Sequence, residues 1–305
     1  MSSMTVYRQY TAEQLAVQYS PSSCVPDLRV ELDAYAAASA RTRAALEWRT
    51  LSYGPRPEER LDFFPAPAPA GPGGPGAPLV VFLHGGYWQE LGRADASFPA
   101  AGLNSRGVAY AALGYGLAPR YGLDAIVAMV RKGARWLLAH AGELGCDPAR
   151  MVLAGSSAGA HLAAMCLLDE TPAAAPGQSA GWAGAVLLSG VYDLEPVRLT
   201  YVNDRVGMTR DEARRNSPLH HLPRTLPPLV LARGEHETDE FARQQQDFAR
   251  AACSRTSRLV EVVATGRNHF DLCFDLADPS TALGRAVGEV TDSVRTGPHV
   301  YEEAT

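Results

Sequence analysis

Serine is a weak nucleophile until a neighbouring base removes its proton, and a tight turn can lift its hydroxyl into the open. Residues 154–163, AGSSAGAHLA, contain such a turn, with Gly155, Ser156, Ser157, Ala158 and Gly159 spelling G-x-S-x-G. The turn lies between an apolar run, RMVLA (150–154), and an alanine-rich stretch, AGAHLAAMCLL (158–168). Small neighbours allow strained dihedrals at the central residue. A helix starting at Ala158 would aim the positive end of its dipole at Ser157. Ser157 is therefore the candidate nucleophile of an acyl transfer. The alternative is a small-residue turn of no function.

Such a serine needs a base and a carboxylate that orients it. In one chain order used by serine hydrolases, the acid follows the serine and the histidine comes last. Of eight histidines, only His269 and His299 follow every candidate acid. His299 lies in the polar tail TGPHVYEEAT, whereas His269 directly follows the last apolar run in ATGRNHFDL. His269 is the candidate base. His161 is close to Ser157 in sequence, but four residues along a helix it points away, so it reads as a packing residue. The acid should end the preceding strand, where RGEHETDEF offers Glu235, Glu237, Asp239 and Glu240. Glu237 is the first choice. Asp239, which also suits a helix N-cap, is the second.

Acyl transfer builds negative charge on an oxygen, and fixed backbone amides stabilise it; losing one donor costs about 3 kcal/mol. The apolar run PLVVFL (78–83) ends in HGGYWQE (84–90). Glycines let a backbone approach substrate closely, so the amides of Gly85, Gly86 and Ala158 are the candidate oxyanion hole. His84 is expected to hold this loop by hydrogen bonds without transferring protons. Tyr87 and Trp88 are candidate substrate-binding residues, as an apolar aromatic wall; packing of the loop explains the same two rings.

These residues need a scaffold that brings strand ends together. Continuous apolar runs at 78–83, 106–113, 150–154, 184–189, 227–232 and 258–264 read as strands covered on both faces. Helical spacing appears at 31–49, 123–141, 158–168, 239–252 and 281–294. This alternation predicts an α/β fold with a mostly parallel central sheet and helices on both faces. Two short strands are expected within 50–65, followed by a Pro/Gly-rich surface loop, PAPAPAGPGGPGAP (65–78). A single domain over 1–305 is expected, with an N-terminal helical extension over about residues 1–50 that either covers the mouth of a site or flanks the domain.

Composition narrows the function classes. Net charge is −5, and Lys132 is the only lysine. No basic block is present, which argues against nucleic acid and an anionic membrane surface. The N-terminus lacks a signal-peptide pattern, and a cytoplasmic location is expected. The five cysteines form no CxxC pair, so free thiols are expected, and neither a metal nor a cofactor. The expected partner is a small molecule; a homodimer is compatible with the chain.

Together HGG, GSSAG and the late NHF resemble the hormone-sensitive-lipase-like branch of the α/β-hydrolases. The longer HGGYWQE is similar to kynurenine formamidases (arylformamidases), as are YGPRPEERLDFFP, SGVYDLEP, NSPL and GEHETDEFARQ. The resemblance spans about residues 53–271. It implies an α/β-hydrolase fold and hydrolysis of N-formyl-L-kynurenine to formate and L-kynurenine, a step of tryptophan catabolism, without metal or cofactor. By position it places the nucleophile at Ser157, the base at His269 and the acid at Glu237, where the family often has aspartate. Two other readings stay open: a short-acyl carboxylesterase or amidase acting on another small substrate, such as a secondary metabolite, and a binding module that retains the hydrolase fold.

Overall fold

Alternation along each strand decides which helical layer its side chains meet. On β5 (Ala77–Leu83), Leu79, Val81 and Leu83 enter one buried cluster, while Val80 and Phe82 enter another. The computed structural model describes residues 4–67, 76–168 and 181–292. In chain order its strands are β1 (Thr5–Tyr7), β2 (Tyr10–Thr11), β3 (Arg49–Ser52), β4 (Arg60–Phe64), β5, β6 (Ala109–Leu113), β7 (Cys146–Ser156), β8 (Gly184–Leu188), β9 (Leu229–His236) and β10 (Leu259–Asn268).

β1 and β2 form a small hairpin, and the other eight strands form one sheet in the order β10-β9-β8-β7-β5-β6-β4-β3. Pairing is parallel from β10 to β6, while β4 and β3 are antiparallel. The expected mostly parallel α/β sheet is present. Helices Leu123–His140, Ala158–Leu167 and Asp239–Ala252 bury their apolar positions in the first cluster. Helix Ala282–Asp292 and the short helix Ala100–Asn104 cover the opposite face, with Tyr35 from helix Leu28–Ala45. Each fully buried Leu, Val or Phe contributes about 1.5–3 kcal/mol, so both faces anchor the strand ends firmly.

Several boundaries differ from expectation. The helix read over 31–49 runs from Leu28 to Ala45, because the Asp27 side chain caps it at the Arg29 amide (2.8 Å). The strand read over 106–113 begins at Ala109, since residues 104–107 turn tightly out of the preceding helix. β10 continues to Asn268, beyond the expected end at 264, through an irregular stretch between Ala264 and Asn268. The hairpin and the helix Ala12–Gln18 were not foreseen; the two strands are too short to show a period of two. Within the Pro/Gly-rich loop, residues 68–75 lie outside the described residues, as does His299. No helix among the described residues is long and apolar enough to cross a membrane.

Candidate active site

Parallel strands place their C-terminal ends on one edge of the sheet, where α/β folds bind ligands. β7 ends at Ser156 and a helix begins at Ala158, which leaves Ser157 alone between them at φ 55° and ψ −119°. This conformation costs on the order of 1–3 kcal/mol. It is tied down by the Ser157 amide, which donates to the Leu188 carbonyl at the end of β8 (2.7 Å). A Cβ on Gly159 would overlap the Leu83 carbonyl. The last small position of the motif is thus dictated by close approach of the helix to β5.

Glu237 follows β9 and His269 follows β10. Between Ala264 and Asn268 the chain uses four residues where β9 uses two, Gly234 to His236. His269 follows directly on this irregular stretch. His269 Nδ1 donates to Glu237 Oε2 at 2.9 Å, with both side chains almost fully buried. The other oxygen, Oε1, accepts from Ser189 Oγ (2.6 Å) and the Gly234 amide (2.6 Å). Three bonds hold the carboxylate, and in the neutral imidazole its bond to Nδ1 favours the tautomer with the lone pair on Nε2, the form a general base requires. Asp239 is exposed in the first turn of its helix, and the cap residue is Thr238, not Asp239 as its type suggests. Thr238 instead spends its hydroxyl on the Gln18 carbonyl (2.5 Å).

Ser157 and His269 both line a cavity of about 340 Å³, together with Gly85 and Gly86. A Cβ on Gly85 would lie 3.3 Å from the Ser157 Cβ, which shows how closely the glycine loop abuts the serine turn. Among the described residues, the amides of Gly85 and Gly86 donate to no backbone carbonyl. Ala158 is the first residue of its helix, where an amide has no partner within the helix. Gly86 has φ +93°, and a Cβ there would overlap the Glu90 carbonyl. His84 holds the loop, as expected. Its Nδ1 bonds the Gly85 carbonyl (2.9 Å), its own carbonyl accepts from Tyr115 Oη (2.7 Å), and the two rings stack at 4.2 Å. Burial lowers the His84 pKa to about 4, so the imidazole is neutral.

The two aromatic neighbours separate. Tyr87 lines the cavity and donates its hydroxyl to the Tyr19 carbonyl (2.7 Å). Trp88 does not line it. Its side chain is fully buried, and Nε1 donates to His161 Nδ1 at 3.2 Å. The reading of Trp88 as a substrate-binding residue is corrected: its buried ring meets His161 edge-on at 5.1 Å and packs the loop instead of lining the cavity. His161 is the packing residue expected. Its Nε2 donates to the Asn216 carbonyl (2.7 Å), and burial lowers its pKa to about 4.

Sequence reasoning missed the residues that replace Trp88. Phe82, Phe98, Phe270 and Tyr35 line the cavity, and Tyr35 stacks on Phe98 at 5.3 Å. Pro21, Ser22, Leu28 and Leu32 add an N-terminal wall. That wall is latched by Tyr19, whose hydroxyl donates to Glu240 (2.8 Å) and accepts from Gln244 (2.9 Å). Tyr35 in turn donates to the Phe270 carbonyl (2.5 Å), beside His269. Of the two roles open for the extension, its inner residues take the first and cover the cavity. Ser189 and the Gly234 amide were also missed; the φ of 48° at Ser189 leaves no trace in composition. Among the described residues no cluster of His, Cys, Asp or Glu could hold a metal.

A model of the BD-FAE family matches residues 67–180. The kynurenine formamidase of Danio rerio is 30% identical over 292 residues, 92% of this chain and 96% of that protein. That of Salmo salar is 31% identical over 288 residues, covering 90% and 95%. Among solved structures, an esterase from Pyrobaculum calidifontis superposes with a TM-score of 0.68 at 20% identity, over 89% of this chain and 95% of that one; at that identity the likeness is one of fold.

Proposed function

We propose a function from one premise: the chain belongs to the kynurenine formamidase family, carries the α/β-hydrolase fold and is a hydrolase. Its reaction on this reading is hydrolysis of an aromatic formamide, N-formyl-L-kynurenine, to formate and L-kynurenine. The observation that carries the reading is one cavity that joins Ser157, the Glu237-bound His269 and a wall of aromatic rings.

Ser157 Oγ attacks the formyl carbon while His269 Nε2 takes the hydroxyl proton. The amides of Gly85, Gly86 and Ala158 receive the oxyanion, worth several kcal/mol. Collapse breaks the carbon–nitrogen bond, and His269 gives its proton to the departing aniline nitrogen. Water then attacks the formyl-serine, His269 takes its proton, formate leaves, and the proton returns to Ser157. Glu237 keeps the imidazole in the right tautomer throughout. A formyl group carries only hydrogen on its carbon, so the cavity volume serves the aromatic leaving group. Phe82, Phe98, Phe270 and Tyr35 suit a flat ring.

Purified protein should hydrolyse N-formyl-L-kynurenine with a higher kcat/KM than p-nitrophenyl acetate, followed by the ultraviolet bands of substrate and product. The reverse order would replace this reading with a short-acyl esterase. Substrate binding without turnover, and without labelling by a serine-directed phosphonate, would leave a binding module.

A further inference from the structure

Charge at the cavity is one-sided. Glu90 and Asp95 are among its lining residues, and among the described residues no lysine or arginine lines it. Glu90 is exposed and Asp95 is half-buried. Neither carboxylate has a hydrogen-bond or ion-pair partner among the described residues. Arg93, the cation nearest in sequence, is committed elsewhere: its Nε binds Asp62 (3.1 Å). Gln89, a neutral neighbour, spends its amide on the Val202 carbonyl (2.9 Å). Behind His269 the buried Glu237 adds a third carboxylate. An anionic, partly dry cleft concentrates cations and repels anions. The two free carboxylates are on the segment that follows the glycine loop, in the same cavity as Ser157 and the aromatic wall.

We propose that Glu90 and Asp95 are specificity-determining residues that select aromatic formamides bearing a side-chain ammonium and discriminate against those bearing only a carboxylate. This rests on the formamidase reading and goes beyond it. An amino-acid side chain brings an ammonium and a carboxylate together. An amine of the same length brings only the cation, and the cavity offers no cationic side chain that would reward the extra carboxylate. The decarboxylated amine is therefore a substrate at least as good as the amino acid.

The test compares kcat/KM at low ionic strength for three ortho-substituted formanilides of equal chain length, carrying an ammonium, a zwitterionic amino acid or a carboxylate. The ammonium compound should equal or exceed the zwitterion and exceed the carboxylate by roughly ten-fold, mostly in KM. Addition of 0.5 M NaCl should shrink the gap, as screening requires. In E90Q, D95N and the double variant the ratio of ammonium to carboxylate substrate should fall, toward about three-fold in the double. The ratio is read rather than either rate, and a thermal melt verifies folding. Equal efficiencies in the parent protein, or a ratio unmoved by the variants, overturn the proposal. If no formanilide is cleaved but p-nitrophenyl acetate is, the formamidase reading fails on its own. The same three side chains on phenyl acetates then decide the charge preference by the same ratio.

Discussion

Two walls of the cavity are built in different ways. The wall carrying Ser157, Glu237 and His269 grows out of the ends of β7, β9 and β10, and parallel pairing fixes their spacing. The N-terminal wall, Pro21 to Tyr35, pairs with no strand of that sheet. It is held by side-chain hydrogen bonds through Tyr19, Gln18 and Tyr35. Sheet-borne groups are positioned by many cooperative bonds, whereas latched groups depend on a few bonds worth about 1 kcal/mol each. The proposed chemistry therefore belongs to the first wall, the substrate ring meets Tyr35 of the second wall together with Phe82, Phe98 and Phe270, and selection of its side chain belongs to the loop after the glycines.

The strongest way to break this division is to attack the sheet-borne wall. Ser157→Ala is expected to lower kcat on N-formyl-L-kynurenine by at least about 10⁴-fold, with a melting temperature close to that of the parent. Retained turnover would remove Ser157 from the reaction. Glu237→Gln keeps the shape but loses the tautomer control, and roughly 10³-fold in kcat is expected. Asp239→Asn should leave kcat within about two-fold; a larger loss there than at Glu237 would reverse the choice of acid.

Acid should act on the glycine loop and its support rather than on the sheet. His84 and His161 have pKa values lowered to about 4 by burial. Between pH 6.5 and 4 the unfolded chain binds more protons than the folded one, so their stabilisation is complete above pH 6.5 and lost as pH falls. Each histidine should cost about 2 kcal/mol by pH 5. Urea unfolding at pH 7 and pH 5 measures this, and His161→Gln should flatten the dependence. An unchanged midpoint in the parent protein would contradict the burial of both imidazoles.

The smallest effect sharpens the comparison most. Tyr19→Phe removes the hydroxyl that joins Glu240 and Gln244. A loss of about 1 kcal/mol in stability is expected, with KM raised a few-fold and kcat within two-fold. A kcat loss as large as that of Glu237→Gln would mean that the two walls are not separable.

Local sequence determined the parts whose physics is local. The strand runs, the glycine-bounded serine turn and the alternation of strands and helices are legible because period, apolarity and residue size act over a few neighbours. On that basis Ser157, Glu237, His269, Gly85 and Gly86 can be named, and the structure brings Ser157, His269 and the two glycines to one cavity, with Glu237 bonded to His269. Tertiary structure decided what depends on contacts distant in sequence. Of the Tyr87–Trp88 pair, Tyr87 lines the cavity while Trp88 is held by a bond to His161, 73 positions away. The bond between Glu237 and His269 joins residues 32 positions apart, and the aromatic wall is assembled from four separate segments, those of Tyr35, Phe82, Phe98 and Phe270. Residue type says which groups can do the chemistry, but their directions are set by packing that no short window of sequence contains.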